Sequence, residues 1–226
     1  DNYLPPNPES LVFFDVDNFP KRYDCIIYNG EFEVLEMRLK ELYNEMDFFI
    51  IIESTFTYDG RPQELTLKNE LWRLKEYDDK IIYTVVEEAE DILDDDPYYH
   101  RQTHHRNSVT QVLEHIGAKD HDYVFISNTD EIPDSKIIES NLFNYDYIEY
   151  EFLTIRMRHF VWNFDFENQP YEVSGTQLCN FKNLKLYSAQ YFRDRSHWTD
   201  HHLKTFRGWK LEYFGTPERS LELMQR

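Results

Sequence analysis

The sequence predicts an α/β fold with a mostly parallel central sheet. Over the first 130 residues, four short apolar, β-favouring runs alternate with helical patterns. This alternation is typical of a Rossmann-like sheet. The runs are continuous rather than alternating, as in parallel strands that are covered on both faces. Polar residues directly follow several of these runs, at the edge where open α/β sheets bind their ligands.

The elements of the first half follow from hydrophobic periodicity. The predicted strands are 23–29, 47–53, 80–87 and 123–126. Helices are predicted at about 31–46, 65–77 and 98–116; in the first, Phe32, Leu35 and Leu39 recur at the spacing of one helix face. Gly117 provides a C-terminal cap for the last of them.

The second half of the chain, after Pro133, has a different pattern. Segments 148–166 and 171–181 are rich in Phe, Tyr, Val and Trp, which predicts antiparallel or mixed strands. A further strand is predicted at 206–214. Pro217 favours the start of a last helix that extends to about Met224.

Composition limits the class of protein. A chain of 226 residues suits one large domain or two small ones. A net charge of −19 argues against nucleic acid or an anionic membrane as the main partner. No apolar run approaches the roughly 20 residues of a transmembrane helix, so no membrane segment is predicted. Cys25 and Cys179 both lie in apolar runs and are predicted to be buried core residues.

The stretch 122–133 carries the clearest functional signal. A buried strand ends there in Ser127, Asn128, Thr129, Asp130 and Glu131. Acidic oxygens at such a strand end suit a hard divalent cation, which can in turn hold a diphosphate. The alternative is an acidic loop that caps the next helix. No Gly-x-Gly-x-x-Gly or Walker-type motif is present, so ordinary dinucleotide and P-loop sites are not predicted.

Three segments together resemble glycosyltransferase family 17. They are 29–62, with Asn-Gly-Glu, Leu-Glu-Met-Arg-Leu-Lys-Glu-Leu and Gly-Arg-Pro; 123–133, similar to the family's Asp-x-Asp-Glu-Ile-Pro signature; and 208–218, with Gly-Trp and Phe-Gly-Thr-Pro-Glu. The resemblance implies a GT-A fold, a UDP-sugar donor with UDP-N-acetylglucosamine as first choice, and a glycan acceptor. It also implies inversion at the anomeric carbon and a divalent metal, Mn²⁺ or Mg²⁺. The sparse periodic signals of the first 20 residues and the change of pattern after Pro133 predict an N-terminal arm (1–20) and one catalytic domain (21–226), with a nucleotide-sugar-binding half (21–133) and an acceptor half (134–226).

The chain departs from the family pattern at two positions. Asn128 replaces the first Asp of the metal motif, and Lys210 follows Gly208-Trp209 where the family tends to have His. Both changes remove metal-binding capacity. Lys210 adds a cation that can neutralise a diphosphate as a point charge.

The resemblance and the positions of residues at strand ends yield a set of candidate site residues. Asp130 and Asn128 are the predicted metal ligands. The predicted donor-binding residues are Tyr28, Asn29, Gly30, Glu53, Arg106, Asn107, Asn128, Thr129, Asp130 and Lys210. The candidates for the general base that takes the acceptor proton are Asp200 first, then Glu218 and Asp165.

Several of these residues have simpler alternative roles. Glu53 can instead cap a strand end, and Arg106 can pair with acidic neighbours. Glu218 falls in the first turn of a predicted helix, where the dipole favours a carboxylate. Trp162 is predicted either as core or as a sugar platform.

Two functions other than sugar transfer are also consistent with these residues. A nucleotidyltransferase or phosphodiesterase would use Asp130 and Glu131 with a metal. A carbohydrate-binding domain would use the aromatic residues, which make up 17% of the chain, without turnover.

Overall fold

A computed structural model describes residues 19–87, 95–139, 151–168, 173–196 and 207–215. The elements in chain order are β1 (Arg22–Tyr28), α1 (Phe32–Leu42), β2 (Phe48–Ser54), α2 (Thr66–Glu70), a 3₁₀ helix (Leu71–Tyr77), β3 (Ile81–Val86), α3 (Pro97–His115), β4 (Tyr123–Asn128), β5 (Glu131–Pro133), α4 (Ser135–Glu139), β6 (Leu153–Val161), β7 (Val173–Asn180), α5 (Phe181–Tyr187), α6 (Ala189–Asp194) and β8 (Gly208–Glu212). No helix among these residues is long and apolar enough to span a membrane.

The strands form one mixed sheet in the order β3-β2-β1-β4-β7-β6-β8-β5. Strand β1 is parallel to β2 and β4, and β2 is parallel to β3, which confirms the predicted parallel half. Strand β7 runs antiparallel to both β4 and β6, and β5 runs antiparallel to β8. The architecture is therefore α/β, with a parallel first half and a mixed second half as the sequence predicts.

The core lies on both faces of the parallel strands. In β2, Ile51 contacts the same cluster as Leu35 and Leu39 of α1, while Ile52 packs on the other face with Leu113 of α3. Each such side chain contributes roughly 1.5–3 kcal/mol when fully buried. This two-sided cover explains why β2 is a continuous apolar run. Cys25 and Cys179 are buried and free, as predicted.

Several elements differ from the prediction. The helix predicted at 65–77 is split into α2 and a 3₁₀ helix, with non-helical dihedral angles at Leu74. The strand predicted at 171–181 ends at Asn180, and two short unpredicted helices, α5 and α6, follow directly. The side chain of Ser188 caps α6 by accepting a hydrogen bond from the Tyr191 amide at 3.3 Å. The last predicted helix and the N-terminal arm up to residue 18 lie outside the described residues.

The fold brings the acidic stretch to the carboxyl edge of the parallel strands. Strand β4 ends at Asn128, the chain turns at Thr129 and Asp130, and it re-enters the sheet as β5. Strand β8 pairs with β5 so that Lys210 lies opposite Glu131. The sequence places these two residues 79 positions apart, and the sheet makes them neighbours.

Candidate active site

A buried arginine holds the backbone of the acidic turn. Arg38 of α1 is fully buried and forms two hydrogen bonds with the Asp24 carboxylate of β1, Nε to Oδ2 at 2.7 Å and Nη2 to Oδ1 at 2.6 Å. Its Nη1 also donates to the backbone carbonyls of Glu131 at 2.5 Å and Asn128 at 3.3 Å. The two ends of the turn are therefore fixed by one guanidinium group.

Glu131 is a completely buried carboxylate that orders two cations. Arg193 donates to both of its oxygens, at 3.0 and 2.6 Å, and the Asn128 amide donates at 3.1 Å. Lys210 Nζ lies 3.7 Å from Oε1. Burial alone would raise the pKa of Glu131, but Arg193 and Lys210 outweigh it and hold the pKa at about 2. Glu131 therefore stays ionised and is the counter-ion of Arg193 and Lys210.

Replacing the Glu131 carboxylate should make the free energy of unfolding depend less on pH in the acid range. The folded pKa of Glu131 lies below its unfolded value, so its contribution is full above about pH 4.5 and is lost as pH falls towards about 2. We expect Glu131→Gln to lower the free energy of unfolding at pH 7 by about 3 kcal/mol, at 1.36 kcal/mol per pKa unit. The difference from wild type should shrink below pH 4.

Urea unfolding at pH 7, 5 and 3.5 measures this effect. Glu70→Gln is the matched control, because Glu70 pairs with Arg73 on the surface and both side chains are about one-third exposed. A constant difference between wild type and Glu131→Gln over the whole pH range would show that Glu131 does not stabilise the fold through its charge.

Lys210 of β8 pairs with Asp130, the partly buried carboxylate of the acidic turn. Its Nζ lies 3.0 Å from Oδ2 of Asp130, and the backbone amide of Leu211 donates to the Asp130 carbonyl at 2.8 Å. Burial opposes the charge, but Asp130 and Glu131 raise the pKa of Lys210 well above its ordinary value. Lys210 therefore stays an ammonium group at any physiological pH.

Helix α3 contributes a further cation to the same place. Nη2 of Arg106 donates to the side-chain oxygen of Asn128 at 3.2 Å, and Nη1 donates to Gln190. The pKa of Arg106 is lowered by burial first and by the nearby Arg193 second. Asn107, its neighbour, accepts a hydrogen bond from the Gln190 amide at 2.9 Å, which ties α3 to α6.

These charges define one feature, which we call the turn cluster: Arg106, Asp130, Glu131, Arg193 and Lys210. Three cations face two carboxylates, so the cluster carries one net positive charge. The whole chain carries −19. The three cations thus offset the negative charge of the acidic turn, and Asp194 is a further carboxylate that acts on Arg106.

The predicted metal ligands supply fewer oxygen atoms than a divalent cation requires. Mn²⁺ and Mg²⁺ prefer about six oxygen ligands. Asp130 and Asn128 supply one carboxylate and one amide oxygen, and each is already engaged by a cation, Lys210 or Arg106. Within the described ranges, no three His, Cys, Asp or Glu side chains are placed to hold a metal. The described donor set does not fit a tightly held divalent ion, and Mn²⁺ or Mg²⁺ stays a prediction.

A cleft of about 350 Å³ opens beside the turn cluster. Its walls come from the ends of β1, β4 and β8, from the loop after β2 and from the start of α3, with Tyr58 and Tyr98 in edge-to-face contact at 5.5 Å between ring centroids. The lining residues are Asn29, Glu31, Thr57, Tyr58, Gln63, Tyr98, Asp130, Leu211, Glu212 and Tyr213. The cleft therefore lies at the carboxyl edge of the sheet, where the sequence predicts ligand binding.

The structure brings several predicted donor-binding residues to this cleft. Asn29 and Asp130 line it, while Thr129 is buried and donates to the Ile27 carbonyl at 3.1 Å, joining the ends of β1 and β4. Tyr28 is buried at the end of β1. Gly30 has φ of 100°, which lets the chain turn directly from β1 towards α1.

Other predicted residues lie elsewhere. Glu53 is buried and accepts hydrogen bonds from four donors, so its carboxylate caps the start of α2, a role that neither the donor-binding prediction nor the strand-end alternative anticipates; the donors are the amides of Leu67 and Lys68 and the hydroxyls of Thr66 and Tyr83. Asp165 is exposed in the loop after β6 and does not line the cleft. Asp200 and Glu218 lie outside the described residues.

Four polar residues at the site were missed by sequence reasoning: Arg38, Arg193, His159 and Glu212. A signal existed for Arg38, because its spacing from Leu35 and Leu42 places it on the buried face of α1. Arg193 lies 62 residues from its partner Glu131, and His159 lies 53 residues from Glu212. Nothing local in the sequence indicates these pairs.

The chain is therefore an α/β protein with a polar cleft at the carboxyl edge of its parallel strands, beside the turn cluster. The sequence model of glycosyltransferase family 17 matches residues 13–209. This match spans most of the 226 residues, so the chain belongs to glycosyltransferase family 17 and is a glycosyltransferase. No curated protein matches the chain.

Proposed function

We propose that this glycosyltransferase has a GT-A fold and transfers a sugar from a UDP-sugar to a hydroxyl of a glycan, with inversion at the anomeric carbon. UDP-N-acetylglucosamine is the first-choice donor. The observation that carries the proposal is Lys210, an ammonium group whose Nζ lies 3.0 Å from Oδ2 of Asp130, a residue that lines the cleft. Because Glu31, Asp130 and Glu212 also line the cleft, a bound diphosphate needs the cations of the turn cluster as counter-ions.

The chemistry follows from where the charge develops. The acceptor oxygen attacks the anomeric carbon while the bond from that carbon to the diphosphate breaks. UDP departs with the electron pair. Its growing negative charge needs a preorganised cation, and in a partly buried site such a cation acts more strongly than in water. Lys210 supplies this charge, while Glu131 and Asp130 hold the ammonium group in position.

The walls of the cleft suit the rest of the donor. The Tyr58 and Tyr98 rings offer an apolar face for a base or sugar ring. Asn29 and Gln63 bring amide groups that can bind ring hydroxyls or a uracil edge. Such a wall of aromatic surface with a few polar groups is typical of small-molecule sites.

A donor screen tests this proposal. The protein is incubated with UDP-N-acetylglucosamine, UDP-galactose and UDP-glucose, with and without Mn²⁺ and a mixture of glycan acceptors, and released UDP is measured. We expect slow UDP release from one donor, accelerated by an acceptor. Release of pyrophosphate from a nucleoside triphosphate, or binding of glycans with no turnover of any UDP-sugar, would contradict the proposal.

A further inference from the structure

One carboxylate in the cleft is held by a histidine rather than by a cation. Oε2 of Glu212, at the end of β8, lies 2.6 Å from Nε2 of His159 on β6. The other ring nitrogen, Nδ1, lies 3.3 Å from the side-chain amide of Asn168. Because that amide nitrogen can only donate, Nδ1 accepts, and Nε2 carries the proton that it donates to Glu212. The chain Asn168–His159–Glu212 thus orients the carboxylate.

Glu212 is also the cleft carboxylate best placed to accept a proton. Asp130 pairs with Lys210, and Oε2 of Glu31 accepts the Asn29 amide at 3.2 Å. The side chain of Glu212 is 35% exposed, and its Oε1 has no partner among the residues that the structure describes. A base needs an oxygen that a substrate hydroxyl can reach.

The loop after β6 indicates where the acceptor lies. The backbone amide of Trp162 donates to the Glu212 carbonyl at 2.9 Å, and the Trp162 side chain is 54% exposed. Trp162 has φ of 67°, a left-handed conformation that is unusual for a bulky residue and costs about 1–3 kcal/mol. Phe164 and Phe166 are exposed in the same loop. Exposed aromatic rings beside a cleft suit the apolar face of a pyranose.

We propose that Glu212 is the general base, that His159 positions it, and that the acceptor sugar packs on Trp162. This inference rests on the proposed function. Oε1 of Glu212 takes the proton of the acceptor hydroxyl as that oxygen bonds to the anomeric carbon and UDP leaves with the electron pair of the broken bond. One carboxylate suffices, because the leaving group needs a cation and not an acid.

The first test replaces the carboxylate. Glu212→Gln should lower kcat by about 10²–10⁴-fold and leave UDP affinity, measured by calorimetry, unchanged. The matched control is Glu167→Gln, because Glu167 pairs with the exposed Arg158 and does not line the cleft. It should retain near wild-type transfer. Near wild-type transfer by Glu212→Gln would overturn the proposal.

A second readout separates a base from a structural residue. Azide is an anionic nucleophile that carries no proton, so it needs no base. Glu212→Ala, with room for the ion, should form the glycosyl azide of inverted configuration while transfer to glycan hydroxyls stays low. Loss of both reactions in a variant that still binds UDP would show that Glu212 acts on the donor and not on the acceptor.

His159 and Trp162 supply the remaining tests. His159→Gln keeps a donor near Glu212 and should retain more of kcat than His159→Ala. Trp162→Asn removes the ring but tolerates the left-handed backbone, and should raise the acceptor KM with little change in kcat. Equal rates for the two His159 variants, or an unchanged acceptor KM, would overturn these roles. A wild-type protein without transfer to any acceptor would refute the proposed function itself.

Discussion

Lys210→Ala is expected to weaken the binding of UDP by about 10- to 100-fold in the absence of any divalent metal. A hydrogen bond to a charged group contributes about 1.5–3 kcal/mol, and 1.4 kcal/mol is a factor of ten in affinity. The substitution also leaves Asp130 without its partner at 3.0 Å. The unpaired Asp130 carboxylate then repels the diphosphate. Calorimetric titration with UDP in the presence of a chelator measures the change.

The matched control for Lys210 is Lys185→Ala. Lys185 also pairs with an aspartate, Asp120, but both side chains are well exposed and neither residue lines the cleft. It removes one positive charge from the same chain of charge −19 and should leave UDP affinity unchanged. If wild type and Lys210→Ala bind UDP with equal affinity, Lys210 does not contribute to donor binding.

Titration of wild type and the Lys210 variants with Mn²⁺ shows whether a metal ion or the Lys210 ammonium group neutralises the diphosphate. With Lys210 beside Asp130, we expect Mn²⁺ to change the UDP affinity of the wild type little. Lys210→His replaces the ammonium group with a possible ligand, so UDP binding by this variant should become Mn²⁺-dependent. If Mn²⁺ strengthens binding by the wild type and Asp130→Ala abolishes that gain, the metal predicted from the sequence is present and Lys210 is not its substitute.

The parallel half of the fold could be predicted because local sequence determines it. Strand β2, for example, is an unbroken run from Phe48 to Ile52 that ends in polar residues, and α1 repeats apolar residues at three and four. The second half was harder. Phe181 and Leu184 are both buried on α5, but in an aromatic-rich stretch their spacing of three did not stand out against a strand pattern.

The edge of the sheet that carries the site was predictable, whereas the partners of its residues were not. A polar residue that follows an apolar run must lie at a strand end, which located Asn29 and Asp130 at the cleft. Whether a carboxylate there binds a ligand, caps a helix or pairs with a distant arginine depends on tertiary contacts. Glu53 caps α2 and Glu131 pairs with Arg193, and neither contact has a local signature.

The largest effect on stability is expected at Arg38 and Asp24. Both side chains are fully buried and make two hydrogen bonds to each other. Removing one partner of such a pair leaves an uncompensated charge in the core and costs about 3–5 kcal/mol. We expect a loss of this size for Arg38→Met and for Asp24→Asn, measured as the free energy of unfolding in urea. Arg61→Met, which breaks an exposed pair with Asp59, should lose less than about 1 kcal/mol.

The double variant Arg38→Met/Asp24→Asn shows whether the two residues act as a pair. Its loss should be clearly smaller than the sum of the two single losses, because no buried charge is left unpaired. Arg38→Met should also weaken UDP binding, since Arg38 donates to the carbonyls of Asn128 and Glu131 at both ends of the acidic turn. Asp24→Asn keeps those two bonds, so it should bind UDP more tightly than Arg38→Met at comparable stability. Additive losses together with equal UDP affinity in the two single variants would mean that Arg38 neither forms a coupled pair nor shapes the turn.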